Sequence, residues 1–490
     1  MLFNTLDFII FFILVLTVIT IIKKRKFQHL FLLVASYFFF YYTSNYLIIL
    51  LIFTTFWDFY FGNIIYKTKN IKTKKIILII SLAGNLGLLG FFKYADFAIT
   101  QFNFLGQIFD LETQIPLLHL LLPIGISFYT FHSITYTVGI YRGIIKPVRI
   151  LDYAVFVTFF PQLVAGPILR AHEFLPQLRQ KFADSNAISK LRQILITNTN
   201  LKLGITMMAL GLFKKMFVGD NLSLLVDQPM FLNPIELESF TIILRTIAFG
   251  IKIYCDFSGY SDIAIGAAII LGFKLPINFN KPYFATSPSD FWRRWHISLS
   301  TWLRDYLYVP LGGNRKSHSR TYLNLFVVML LGGLWHGASW NFVIWGVLHG
   351  TYLALHKTIT NMLPRAGQAK FFTTRFGRVF SIVVTQYLVF LAWIPFSVKN
   401  VDVMLISMQK YVFLDFMFHN TIQIVIANKF PVMIMLLFVA LHMFSYKKHN
   451  LHQTIANLKM PLWTLFLFVI SITILLFYDG KPENFIYFQF

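Results

Sequence analysis

Two histidines in a strongly apolar chain are the residues best suited to do chemistry. His296 sits in FWRRWHISLSTWLRDYLYVPLGGN (291–314) and His336 in GGLWHGASWNFVIWG (332–346), each directly after a tryptophan. A neutral imidazole accepts or releases a proton near pH 7, which almost no other unperturbed side chain does. Ionisable groups at membrane depth are costly, so they default to a functional reading. Gly332, Gly333 and Gly337 surround Leu334-Trp335-His336 and permit close backbone approach. These surroundings read as a cavity wall, against the plainer alternative of a histidine hydrogen-bonded between helices. A helix over the other block would put Trp292, Trp295 and His296 on one face, at i, i+3 and i+4. Arg293 and Arg294 flank that face and suit the phosphates or carboxylates of a ligand. An interfacial belt explains the same tryptophans and arginines but not the histidine.

A second polar group lies in YCDFSGYSD (254–262), where Asp256 and Asp262 stand with Ser258 and Ser261 inside an apolar run. A carboxylate can orient a catalytic imidazole. Equally, these carboxylates can pair with Arg245 or Lys252 and hold helices together, and both readings stay open. Asp305, beside Arg304, reads as a structural partner within the same supporting set. The remaining histidines, among them His119, His132, His349 and His419, are scattered and read as packing residues. There is no GxSxG elbow, Walker A loop, HExxH or CxxC pair. His296 and His336 have no local ligand pair, so no metal is expected. The single cysteine, Cys255, excludes an internal disulfide.

The elements that must position these residues are apolar. The 490 residues are 57% hydrophobic and only 13% charged, where a soluble domain carries roughly 25% charged. Apolar runs long enough to span recur from end to end, so the fold class is an all-α polytopic membrane protein. The net charge of +23 is dispersed in short clusters between those runs. That is the positive-inside pattern, and it argues against a nucleic-acid partner. The N-terminus lacks a basic n-region and a cleavage site, so 8–22 is expected to be a retained first helix.

Basic stretches 23–26, 67–75 and 142–149 alternate with segment 96–116, which carries Asp96, Asp110 and Glu112 and no lysine or arginine. This predicts an N-terminus outside and basic loops in the cytoplasm. Segment 219–240, with Asp220, Asp227, Glu236 and Glu238 and no basic residue, reads as a second outside loop. Residues 152–168, broken by Pro161, Gly166 and Pro167, predict a re-entrant or kinked segment lining a cavity. Segment 169–200 is the most polar and reads as a cytoplasmic loop or surface helix. Run 241–273 is too long for one ideal span. The basic stretch 274–320 reads as a long cytoplasmic loop that partly dips into the membrane. Runs 321–334 and 340–356 read as a helical pair or re-entrant feature, with His336 near its deep turn. Later spans are expected at 379–396, 431–446 and 461–478. The total is about eleven to thirteen membrane segments. They form one domain over 1–490, with N-terminal helices to 150, a core at 151–356 and C-terminal helices from 357.

Four blocks in order, FPQLVAGPI (160–168), YCDFSGYSDIAIG (254–266), FWRRWHISLSTWLRDYLYVPLGGN (291–314) and GLWHGASWNFVIWGVLHG (333–350), resemble the membrane-bound O-acyltransferase family. The likeness is to its bacterial branch, typified by the alginate O-acetyltransferase membrane subunit, and runs from about residue 5 to FIYFQF. The resemblance implies a ring of tilted and re-entrant helices around a central funnel. It implies His336 as catalytic histidine and His296 as the second site histidine. Trp335, Trp295, Arg293, Arg294, Asp256, Ser258, Asp262 and Asp305 are expected to support them or bind substrate. It implies no permanently bound cofactor, with acetyl-CoA or another acyl thioester as donor. The expected partners are the bilayer, an extracytoplasmic SGNH-type acetyltransferase and a polysaccharide acceptor, and the expected location is a bacterial inner membrane. A D-alanyl transfer protein for teichoic acids, fed by a carrier protein, is the nearer alternative. A proton-coupled transporter is the alternative from another class, though no internal repeat supports it.

Overall fold

A computed structural model describes residues 1–490 except 23, 111–113, 164–165, 184–195, 227–233, 363–369, 449, 479–482, 484 and 487–490. Among the described residues there are helices and no strands. Five helical stretches among the described residues, Arg25–Lys67, Ile71–Ile108, Arg375–Ser397, Lys429–Lys447 and Met460–Phe477, are long and apolar enough to cross a membrane. Lys429–Lys447 shows why. It buries Pro431, Ile434, Met435, Phe438 and His442 along one stripe, while Met433, Leu436, Val439 and Met443 on its other faces stay exposed. A helix that is apolar all round and buried on one stripe only is surrounded by lipid on the rest.

The chain divides into two compact units, Met1–Met208 with Tyr260–Pro276, and Ala209–Gly259 with Ile277–Phe490. In the first, helix Arg25–Ser44 stops where Asn45 turns to a positive φ of 47°. Helix Ile71–Ile108, 38 residues long, starts where the Asn70 side chain accepts the N–H groups of Lys72 and Thr73. The sequence divided this stretch into a span and a loop beginning at 96, and the division is corrected. No proline interrupts 71–108, and what looked like loop polarity fastens a return segment. Asp96 accepts the N–H of Leu118 at 2.7 Å, and Asn103 exchanges two hydrogen bonds with the backbone of Ile115. Glu112 lies outside the described residues.

Segment 152–168 is broken, as its prolines and glycine suggested. Helix Ile150–Thr158 ends, Phe159 takes a non-helical backbone, and a four-residue turn Phe160–Leu163 follows. Buried Gln162 donates to the Phe156 carbonyl at 2.6 Å across that break. Deeper in this unit Ser81 and Asn85 both donate to Asp58, at 2.9 and 2.7 Å, tying helix Ile48–Lys67 to Ile71–Ile108. Of the polar stretch 169–200, read as a loop or surface helix, residues 184–195 lie outside the described residues, its start forms helix Ala171–Ala183 and its end opens helix Asn198–Leu212.

Helix Ser239–Ile270 is unbroken for 32 residues, so the long run 241–273 is one helix as far as Ile270. Its part up to Gly259 belongs to the second unit and the rest to the first. Stretch 274–320, which belongs to the second unit from Ile277 onward, is not a plain loop. It folds into helices Pro288–Arg294 and Ile297–Leu303 and a π-helical turn Arg304–Tyr308. The two short apolar runs form helices His318–His336 and Trp340–Met362, joined by residues 337–339. Gly346 lets them close up: a Cβ there would lie 2.7 Å from the Met329 carbonyl oxygen. Helices Val401–Val412 and His419–Ala427 went unread in the sequence. Ile242, Leu391, Ile394, Val398, Met404 and Tyr411 form a core that binds Ser239–Ile270, Arg375–Ser397 and Val401–Val412 together.

Candidate functional site

His336 is the last residue of helix His318–His336, which begins at a Ser317 cap and ends because Gly337 is extended. The imidazole is 5% exposed and enclosed by aromatic rings. Trp335 and Trp345 meet it edge-on with centroids at 4.9 Å, and Phe396 does so at 5.1 Å. Phe342 stacks at 6.3 Å. Two features bring these rings in. The close helix pair places Phe342 and Trp345 opposite His336, and Asn341 donates to the Val398 carbonyl, fastening the end of helix Arg375–Ser397 that carries Phe396.

His296 is placed differently from the expected helical face. Helix Pro288–Arg294 starts soundly, with Ser287 as cap and Pro288 in its first turn. It then stops: Trp295 is extended and His296 adopts a left-handed backbone, φ 42° and ψ 54°. The competing force is tertiary. Asn280 donates its N–H to the Arg294 carbonyl and Ile297 donates to the Asn278 carbonyl, both at 2.9 Å, which pulls the chain out of the helix. Ser298 fixes the same strand of backbone through the Asn278 side chain. A left-handed conformation at a non-glycine residue costs about 1–3 kcal/mol and clusters at functional sites. The consequence is that Trp292 does not share a face with His296. Its indole N–H instead donates to His349 at 3.3 Å.

Fully buried, His296 meets Phe257 edge-on at 4.6 Å and Trp335 at 6.0 Å. One indole therefore walls both imidazoles, and two motifs 40 residues apart converge on Trp335. The model of the MBOAT, membrane-bound O-acyltransferase family, matches residues 137–391, just over half of the chain and inclusive of both histidines. The chain belongs to the membrane-bound O-acyltransferase family. With its apolar helices, this makes it a multi-pass membrane protein. It is similar to the probable alginate O-acetylase AlgI of Pseudomonas aeruginosa, at 41% identity over 66% of this chain and 58% of that protein. It is similar to the peptidoglycan O-acetyltransferase of Helicobacter pylori, at 38% identity over 69% of this chain and 65% of that one. The alignments thus span less than two thirds of either relative. The teichoic acid D-alanyltransferase of Streptococcus thermophilus is more distant, at 27% identity over 56% of this chain and 68% of that protein.

The supporting residues of this family member divide into groups. Trp295 is a core residue, packed on Phe279 at 5.0 Å and Trp393 at 4.9 Å. Arg294 is occupied by Asp290 at 2.9 Å and reaches the Asn280 carbonyl, whereas Arg293 is exposed. Arg304 and Asp305 pair at 2.7 Å, as their adjacency suggested. Asp256 pairs with neither Arg245 nor Lys252. Its partner is Lys215, at 2.6 Å, and its other oxygen accepts the N–H of Ile486 at 2.7 Å. Lys215 also holds Asp220 at 2.7 Å. That corrects the reading of Asp220 as a loop carboxylate without a basic partner, since it opens helix Asp220–Val226. Ser258 accepts from Lys214 at 3.1 Å. Asp262 falls in the helix part belonging to the first unit.

Sequence reasoning missed Trp345, Phe396 and Phe257, while His349, read as a packing residue, is buried among rings. Trp345 and His349 carried a signal, a four-residue spacing on one helix face, and their rings do meet at 4.6 Å. Phe257 and Phe396 carried none, because in a chain with 56 phenylalanines a single one is not distinctive. The arrangement offers a water-poor aromatic enclosure around one imidazole, with a second imidazole across a shared indole. Such a setting strengthens electrostatic effects on a reacting carbonyl.

Proposed function

We propose that the protein transfers an acyl group, acetyl, from a cytoplasmic thioester to a hydroxyl of an extracellular or cell-envelope polysaccharide. His336 serves as general base. It takes the proton of the acceptor hydroxyl while that oxygen attacks the thioester carbonyl carbon. The C–O ester bond forms, the C–S bond breaks, and the departing thiolate of coenzyme A leaves with the proton. General-base assistance of this kind contributes about 10²–10⁴-fold. His296 positions the donor or polarises its carbonyl. The exposed Arg293 suits the donor phosphates.

The observation that supports this reading is the convergence of His296 and His336 on Trp335, in a chain similar to two O-acetylating proteins. The donor approaches from the cytoplasm, where the basic loops lie, with the N-terminus outside and the membrane a bacterial inner membrane. The acceptor is a sugar hydroxyl, reached directly or through an extracytoplasmic SGNH-type partner. The test is acetate released by mild base from envelope and secreted polymer. Cells with the native protein, with a membrane-inserted His336→Ala variant and with a deletion are compared. Equal loss of ester-linked acetate in the variant and the deletion is expected. Unchanged acetate in both overturns the reading, and D-alanyl ester is then the product to measure.

A further inference from the structure

The second unit contains a charged cluster that the proposed reaction does not use. Lys215 is 1% exposed and holds Asp220 and Asp256 at 2.7 and 2.6 Å. Buried charges persist only when paired, and apolar packing would hold helices together as well. Lys215 lies in a π-helical turn, Phe213–Gly219, a local widening common at functional sites. Because of it, consecutive Lys214 and Lys215 both reach helix Ser239–Ile270, one at Ser258 and the other at Asp256. In a regular α-helix successive side chains diverge by about 100°.

The cluster ends on a distant piece of chain. Asp256 uses its second oxygen to accept the Ile486 N–H at 2.7 Å. Three residues earlier, Glu483 accepts the Ser223 hydroxyl at 2.7 Å and faces Lys252 at 3.5 Å. Between these two fastenings Phe485 is fully buried and packs on Phe257, centroids 5.8 Å apart. Phe257 is the ring that meets His296 edge-on at 4.6 Å. The order is triad, tethered segment, Phe485, Phe257, His296.

The geometry points to Asp256 and Lys215 as positioning residues: they hold Ile486 so that Phe485 presses Phe257 onto His296 and seals it. This rests on the reading of His296 as a site residue, and the test separates the two. Ile486→Pro deletes the N–H that Asp256 receives and leaves Lys215, Asp220 and Asp256 untouched. Ile486→Val keeps that N–H. The purified, membrane-inserted variants are treated with diethyl pyrocarbonate, and modification of each histidine is followed by mass spectrometry. His349, 1% exposed and ringed by Trp292 and Trp345, is the internal reference. Ile486→Pro is expected to raise the His296-to-His349 modification ratio about tenfold, Asp256→Asn likewise, and Ile486→Val not at all. Transfer is expected to fall in kcat, with donor KM little changed. An unchanged ratio in Ile486→Pro and Asp256→Asn overturns the latch, as does a parallel rise at both histidines, which marks general loosening. A raised ratio with full transfer upholds the latch and removes His296 from the reaction.

Discussion

Two glycines fourteen residues apart should respond oppositely to the same added methyl. At Gly346 a Cβ would lie 2.7 Å from the Met329 carbonyl oxygen and 2.9 Å from the Leu330 Cα, about 0.7 Å inside the 3.4 Å at which ordinary contact begins. Both obstacles are backbone and cannot swing aside, so helices His318–His336 and Trp340–Met362 must separate by about that amount. Overpacking of this kind costs about 1–3 kcal/mol, offset by about 1 kcal/mol of helix propensity gained over glycine. Net destabilisation is therefore modest, about 0–2 kcal/mol. The site suffers more. His336 ends one helix, and Phe342 and Trp345 come from the other, so the enclosure opens with the pair. Misplacement by about 1 Å can cost about 10²-fold, which puts Gly346→Ala at a tenfold to hundredfold loss of transfer. At Gly332 the nearest atom to an added Cβ is the Leu303 Cδ1 at 3.5 Å, an ordinary contact. Gly332→Ala should keep full transfer and gain slightly in melting temperature. The assay is transfer to a polysaccharide acceptor per mole of inserted protein, alongside thermal unfolding in detergent. Full transfer by Gly346→Ala, or equal loss in both variants, would refute the claim that close helix contact sets the site.

Arg293→Ala should raise the donor KM without lowering the melting temperature, whereas Arg294→Ala, which breaks the pair with Asp290, should do the reverse; steady-state kinetics and thermal scans separate them. Glu238 accepts the N–H groups of Asn420 and Thr421 and the Thr421 hydroxyl, at 2.9, 2.8 and 2.7 Å, capping helix His419–Ala427 from afar. Glu238→Ala should therefore lower the melting temperature and leave transfer per folded molecule unchanged. Because Trp335 touches both imidazoles, His296→Ala and Trp335→Leu should be non-additive in a double-mutant cycle on transfer rate, with a coupling above about 0.5 kcal/mol. Strict additivity would mean that the shared indole does not link them.

Much of the membrane architecture was legible because its signals are strong and local. Apolar run length marked the helices at 375–397, 429–447 and 460–476. His336 near the turn of a helical pair was legible from the two short apolar runs that flank it. What failed had non-local causes. Helix periodicity cannot foresee that residues 278–280 will draw Arg294 and Ile297 into backbone pairing, so His296 was put on the wrong surface. The Lys215 pairing joins residues 41 positions apart through a π-helical turn, which no periodicity of 3.6 anticipates. Loop charges also misled where a carboxylate had a structural task, as at Asp96 and Asp220.

The Ile71–Ile108 helix has a consequence for the bilayer itself. At about 1.5 Å per residue its 38 residues extend about 57 Å, against a hydrocarbon layer about 30 Å thick. Even at a steep tilt of about 40° it would reach about 44 Å along the membrane normal. Yet Phe102, Phe104, Leu105 and Ile108, near its far end, expose roughly half of their surface. Water there would be costly, so lipid must rise to meet them or the headgroup layer must receive them. The protein should locally deform the membrane it occupies, and bilayers of different thickness should solvate it unequally.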